Sequence, residues 1–253
     1  MHPTLFKFGA FSFYSFGLMV ALGFFCIILL SLFYAKKEGI KTEFILDLAV
    51  YATIGSFVGA RLFYVVGQWN IYRDNLFEIF MLQNGGLVFL GGLIFGLAVI
   101  MLYAKVKQIP MLKLLDAVSP GVVLGYAIGR IGCFLNGCCF GIPTHLPWGI
   151  TFPSGSLARY FLPDVPIHPT QLYSSFSMLL AFMLLLLIYR KKRFDGQIFF
   201  WALIFYSVYR FTVEFFRFSP IHTWGLTPSQ LIVIVTFFMG LLGLIFKGRS
   251  RSS

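Results

Sequence analysis

"MLLAFMLLLLIY" (178–189) and "LIVIVTFFMGLLGLIF" (231–246) are the two runs that decide the architecture. Neither alternates apolar with polar residues, as a strand of an outer-membrane barrel would. Each stays apolar over most of the roughly 20 residues that a helix needs to cross a bilayer at about 1.5 Å per residue. Similar runs recur in both directions along the chain, giving seven spans at about 11–34, 44–66, 87–104, 114–135, 170–189, 197–216 and 228–246. Composition agrees: 58% of residues are hydrophobic and 11% charged, where a soluble domain carries about a quarter charged. The expected fold is all-α, a polytopic membrane protein forming a single integral-membrane domain over residues 1–253, with a long outer loop at about 136–169. The first apolar stretch lacks a basic leader and a small-residue cleavage site before "AKKEGIK", so it is expected to remain as the first span.

The net charge of +11 is read by side rather than by sum. One set of loops holds Lys36, Lys37, Lys41, Lys105, Lys107, Lys113, Arg190, Lys191, Lys192, Arg193, Lys247, Arg249 and Arg251. The opposite set holds Lys7, Arg73, Arg159 and Arg217. The positive-inside rule then places the N-terminus outside and the C-terminus in the cytoplasm. Most of the excess charge is accounted for by topology, so no nucleic-acid partner is expected.

Local signals refine the loops. Trp69 and Tyr72 read as interfacial anchors in the first outer loop. Thr227, Pro228 and Gln230 read as a capping box opening the seventh span. Asp47 and Asp116 fall in the first turns of the second and fourth spans, where an acid suits the helix N-terminus. Gly121, Gly125 and Gly129 repeat every four residues, and Gly85, Gly86, Gly91, Gly92 and Gly96 cluster in "GGLVFLGGLIFG". Such spacing lets backbones approach closely, or clears room for a lipid.

Three arginines remain inside spans. Arg61, Arg130 and Arg210 lie in the second, fourth and sixth spans, each five or six residues before the outer end. That is roughly 8–9 Å deep. A charge at the bilayer centre costs about 2.5–3.5 kcal/mol, so three at one depth form a constellation. Glu214 is the one acid in the outer half; Tyr206, Arg210, Glu214 and Arg217 share one helical stripe. Four arginines against one glutamate leave an excess of positive charge. Guanidinium groups recognise phosphate through paired hydrogen bonds, which points to an anionic phospholipid.

Several motifs carry a resemblance. "FGLM" (16–19), "GARLFYV" (59–65), "GGLVFLGGL" (85–93), "GRIGCFLNGCCFG" (129–141), "HPTQLY" (168–173) and "YRFTVEFFR" (209–217) together resemble the bacterial prolipoprotein diacylglyceryl transferase family over nearly the whole chain. The resemblance implies an enzyme of the cytoplasmic (inner) membrane with its active site toward the outer face. It implies transfer of the diacylglyceryl group of phosphatidylglycerol to a lipobox cysteine thiol, with no cofactor or metal. On the matched positions, Arg130, Arg210, Glu214, Tyr206 and His168 are the implied catalytic residues. Arg130, Asn136, Gly141, Arg61 and Gln171 are the implied phosphatidylglycerol contacts. Leu90 stands where the family has a histidine, Phe16 where it has a tyrosine, Cys133 and Cys138 at signature asparagine and glutamate positions, and Ser174 where a glutamate follows the "HPTQLY" motif. The thiol's general base is therefore unassigned, with His168 and Glu214 as candidates. Alternatively, neighbouring cations acidify the thiol directly.

Cys133, Cys138 and Cys139 keep three readings: small residues that pack, a disulfide from Cys133 to either neighbour, or metal ligands with His145 or His168. Two further functions stand beside the transferase: a relative that binds or moves anionic phospholipid without lipoprotein chemistry, and a cysteine-based redox or metal membrane protein.

Overall fold

The computed structural model describes residues 4–8, 11–73, 75–81, 85–219 and 225–249. Arg251 and the side chain of Lys7, both used in the charge count, lie outside what is described. Two compact units make up the chain, one formed by Met1–Tyr34 with Leu115–Ser253 and the other by Ala35–Leu114.

The larger unit begins with a hairpin of β1 (Thr4–Phe8) and β2 (Phe11–Tyr14), paired antiparallel with Phe8 opposite Phe11. This corrects the expected start of the first span at 11. Residues 11–14 read "FSFY", an aromatic–polar alternation with the two-residue period of a strand. Helix α1 (Ser15–Lys37) follows directly. The smaller unit holds α2 (Thr42–Gly67), the short α3 (Trp69–Tyr72), a 3₁₀ turn (Leu76–Phe80) and α4 (Phe89–Val106). The chain then enters α5 (Met111–Asn136), the short α6 (Leu157–Phe161), α7 (Thr170–Arg190), α8 (Gln197–Glu214) and α9 (Pro228–Arg249).

Five of these, α1, α2, α5, α7 and α9, are long and apolar enough to cross a membrane. The apolar stretch of α4 is shorter, and α8 carries Gln197, Arg210 and Glu214 among its 18 residues. Large apolar side chains cover the outside: Leu18, Leu22, Phe25, Leu29 and Phe33 of α1 are all exposed. A surface of that kind is stable against lipid tails, whereas in water it would mark an interaction or aggregation face.

Glycines set the close approaches. In the larger unit, a Cβ on Gly125 would meet the Ile27 side chain at 2.7 Å and the Gly23 carbonyl oxygen at 2.9 Å. In the smaller unit, a Cβ on Gly91 would meet the Gly59 carbonyl oxygen at 2.4 Å, which packs α4 on α2 backbone to backbone. The core of the larger unit brings together Val123 and Ala127 of α5, Met178, Phe182 and Leu185 of α7, and Ile198, Ala202 and Tyr209 of α8.

Asp47 and Asp116, expected in first turns, lie in second turns because α2 and α5 start earlier, at Thr42 and Met111, and both act across helices. Asp116 of α5 is fully buried, accepts the Gly196 N–H at 2.6 Å and the Phe199 N–H at 2.9 Å, and pairs with Lys192 at 2.8 Å. It therefore caps α8, whose own N-cap, Gly196, has no side chain to do so. Asp47 accepts a hydrogen bond from Tyr103 of α4 at 2.9 Å. The capping box of α9 forms as expected: the Thr227 N–H donates to Gln230 Oε1 at 2.9 Å, and the Gln230 N–H to Thr227 Oγ1 at 3.3 Å.

Candidate active site

Helix α5 presents Tyr126 and Arg130 one turn apart. Arg130 Nη2 donates to the Tyr126 hydroxyl, and the guanidinium carbon stands 4.7 Å from the Tyr126 ring centroid. The Tyr126 and Tyr209 hydroxyls share a hydrogen bond of 2.6 Å. Tyr206 meets Tyr126 edge to face, with centroids 5.7 Å apart, and meets Tyr209 at 5.8 Å. Tyr126 thus holds the guanidinium, with Tyr206 and Tyr209 packed on Tyr126, and Arg130 has no carboxylate partner among the described residues. Gly129, next to it, opens on free space: a Cβ there would meet nothing within 4 Å.

Helix α8 supplies the rest of the charge. Arg210, buried, pairs with Glu214 at 2.7 Å and donates to Ser229 Oγ of α9 at 2.9 Å. Arg217 approaches the same Glu214 oxygen at 3.7 Å. The Tyr206 hydroxyl is within electrostatic reach of both Arg130 and Arg210. Arg210 and Arg217 therefore share one carboxylate, which leaves this pair of cations with a net positive charge.

The loop between α5 and α7 is stitched to the end of α8 by backbone pairing. Gly141 bridges Arg217, the Ile142 N–H donates to the Phe216 carbonyl, and the His168 N–H donates to the Ile142 carbonyl. A Cβ on Gly141 would fall 2.5 Å from the His168 carbonyl oxygen and 2.7 Å from that of Phe216, so only glycine lets the three segments meet. Gln171, buried, donates from Nε2 to the Cys138 carbonyl at 2.8 Å, and Thr170 Oγ1 donates to the Cys139 carbonyl at 2.9 Å. Asn136 closes α5 beside Cys138. Cys138 Sγ donates to the Cys133 carbonyl at 3.7 Å, and Arg217 and Arg130 are within electrostatic reach of Cys139.

His168 has a definite set of partners. The Trp148 indole N–H donates to the Tyr173 hydroxyl at 2.8 Å, and that hydroxyl lies 3.1 Å from His168 Nδ1. The indole can only donate, so the Tyr173 hydroxyl accepts from it and keeps its own proton for Nδ1 in the tautomer of His168 that carries its hydrogen on Nε2. Burial lowers the His168 pKa and keeps the ring neutral near pH 7.

Arg61 belongs to the smaller unit, where loop carbonyls take up its guanidinium. Nε donates to the Ile79 carbonyl at 2.8 Å, Nη1 to Gly85 at 2.5 Å and Gly86 at 3.2 Å, and Nη2 to Glu78 at 2.8 Å and Met81 at 3.3 Å. All five N–H donors meet loop carbonyls, and the rings of Tyr64 and Tyr72 flank the cation at 5.8 and 5.4 Å. Tyr72, expected as an interfacial anchor, is instead buried against Arg61. Leu90 is an exposed side chain of α4, and Ser174 donates back to the Thr170 carbonyl at 2.7 Å.

A family model described as prolipoprotein diacylglyceryl transferase matches residues 3–246. The chain belongs to that family. Among curated relatives, a phosphatidylglycerol–prolipoprotein diacylglyceryl transferase of Clostridium tetani is 38% identical over 243 residues, covering 95% of this chain and 96% of that protein. Like-named proteins of Finegoldia magna and Synechococcus elongatus are 36% and 35% identical, covering 90% and 99% of this chain and 88% and 89% of those proteins. Sequence reasoning within the family picked out Arg130, Arg210, Glu214 and Tyr206, and missed Tyr126 and Tyr209. The signal for both was present: Tyr126 lies four residues before Arg130 on the same helix face, and Tyr209 three after Tyr206.

Proposed function

We propose that the protein transfers the diacylglyceryl group of phosphatidylglycerol to the lipobox cysteine thiol of prolipoproteins, the first step of bacterial lipoprotein maturation. We place it in the cytoplasmic (inner) membrane with the site toward the outer face. The observation that carries this reading is Arg130: a guanidinium inside a membrane-spanning helix, held by Tyr126, without a carboxylate partner among the described residues, beside the open space at Gly129.

In the reaction, the lipobox sulfur forms a thioether bond to the glycerol carbon that carries the phosphate. The carbon–oxygen bond breaks, and its electron pair departs with glycerol 1-phosphate. The phosphodiester starts with one negative charge, and the departing monoester carries about 1.5 to 2 at pH 7. Cations beside it therefore bind the transition state more strongly than the lipid, which is the condition for lowering the barrier. Arg130 and Arg210 serve this role, Glu214 holds Arg210 in place, and Tyr206 and Tyr126 line the phosphate's surroundings. Gln171 Oε1, buried and without a partner among the described residues, suits a hydroxyl of the glycerol headgroup. Asn136 and Gly141 shape the loop above it. Arg61 gathers the carbonyls of Glu78, Ile79, Met81, Gly85 and Gly86 within the smaller unit.

Both candidate bases are already engaged: Glu214 pairs with Arg210 at 2.7 Å and lies 3.7 Å from Arg217, and Nδ1 of His168 lies 3.1 Å from the Tyr173 hydroxyl. The arginines themselves lower the pKa of an incoming thiol from about 8.5, and its proton passes to water or to the leaving phosphate.

Purified protein, phosphatidylglycerol and a lipobox peptide should yield a peptide carrying a diacylglyceryl thioether, detected by mass spectrometry and abolished by Arg130→Ala. Lipid binding without an adduct would instead favour the lipid-binding relative, for which the exposed Leu90 at the family's histidine position is the specific observation.

A further inference from the structure

Cys133, Cys138 and Cys139 have no part in the reaction above, yet their three sulfur atoms all lie within 4.8 Å of one another. We propose that they form a three-thiolate site for a thiophilic d¹⁰ cation, monovalent copper or zinc. Soft thiolates select these metals, and sulfurs sharing one such ion stand close to this spacing.

The arrangement is built by elements outside the cluster. Cys133 comes from the last turn of α5, and the Cys138 N–H donates to the Cys133 carbonyl at 3.1 Å, folding the chain back over the helix end. Adjacent side chains on an extended strand diverge to opposite faces. Here Cys139 adopts φ +60°, a left-handed conformation that non-glycine residues seldom take, and the sulfurs of Cys138 and Cys139 converge instead. The buried side chains of Thr170 and Gln171 hold that turn by donating to the Cys139 and Cys138 carbonyls.

Three observations favour a metal over the alternatives. An odd number of mutually close sulfurs leaves one over if any two pair as a disulfide. No His, Asp or Glu among the described residues joins the cluster, so the donor set is all sulfur. Three thiolates around a monovalent or divalent ion leave net negative charge, and Arg217 and Arg130 act on Cys139 from close by. Copper would be closed and trigonal in this set; zinc would keep an open fourth position for water. Either ion would pin residues 137–141 to the end of α5.

The test uses the full-length protein, reduced anaerobically in detergent and given one equivalent of copper(I) or of zinc(II). Cysteines are then alkylated and mapped by mass spectrometry, with Cys26 of α1 as the internal reference. Protection of Cys133, Cys138 and Cys139 together, with Cys26 labelled as in the metal-free sample, is expected. Protection by copper alone indicates the closed trigonal site, and by zinc the open one. X-ray absorption at the metal edge should show about three sulfur scatterers, and the melting temperature should rise with the metal. Unchanged labelling of the three cysteines, a first shell of nitrogen and oxygen, or a Cys133 disulfide with no metal uptake after reduction would each overturn the site. These readouts need neither a variant nor transferase activity.

Discussion

Arg130 and Tyr126 are joined twice over, by a hydrogen bond from guanidinium to hydroxyl and by the cation lying 4.7 Å from the ring centre. The pair is one helical turn long, so α5 alone fixes the depth of the charge. Tyr209 anchors it sideways to α8 through the 2.6 Å hydroxyl contact. The cation is thus kept in place by neutral groups that leave its charge available to an anion.

Tyr126→Phe keeps the ring and removes both hydroxyl contacts. Turnover should fall by about tenfold, the scale of one positioning hydrogen bond, with the fold intact by circular dichroism. Arg130→Lys keeps a charge but loses the planar fork, and should cost about 10²–10³ in turnover, as for a lost transition-state donor. Wild-type turnover by the lysine variant would sink the paired-hydrogen-bond view of phosphate recognition.

Gly129→Leu probes the space beside the arginine. A Cβ at this position meets nothing, so the variant should fold and insert normally. Filling the space should raise the KM for phosphatidylglycerol more than it lowers kcat. An unchanged KM would show that lipid does not enter there.

Asp116→Ala removes a buried carboxylate that caps α8 and pairs with Lys192. The change leaves the Gly196 and Phe199 N–H groups without their acceptor, while Lys192 keeps Asp195 at 3.6 Å, and should cost about 1–3 kcal/mol. Thermal unfolding in detergent should show the loss, while turnover per folded molecule stays close to wild type.

His168 sets a pH dependence of stability. Its folded pKa is depressed by burial from the ordinary 6.5, so below that value the unfolded chain binds more protons than the folded one. Its contribution is fully present above pH 6.5 and is lost as pH falls toward the folded pKa. Unfolding scans should show that acid-side decline in the wild type and a shallower one in His168→Gln. Parallel declines would remove His168 as the cause.

Helix positions were legible because lipid imposes a blunt rule: a backbone in hydrocarbon must bond to itself, so long apolar runs become helices. The helix bounds of α2, α5, α7 and α9 fall within about three residues of those read from hydropathy. The miss at residues 11–14 came from a short aromatic–polar alternation that a long hydropathy window averages away. The capping box of α9 was readable because Thr227 and Gln230 satisfy each other within one turn.

Most partners of charges were not legible. Arg61 and Arg130 look alike in sequence, each a cation within a span, whereas Glu214 one turn after Arg210 was legible as its partner. Tertiary structure separates the first two: five loop carbonyls take up Arg61, and Tyr126 holds Arg130. Asp116 likewise serves a helix 80 residues away rather than its own. Hydropathy and helix period are properties of neighbouring residues, so the sequence by itself determined where the long apolar helices run, the capping box of α9 and the excess of positive charge. Which cation stays free for an anion depends on donors and acceptors brought together from distant segments, and only the folded chain decides that.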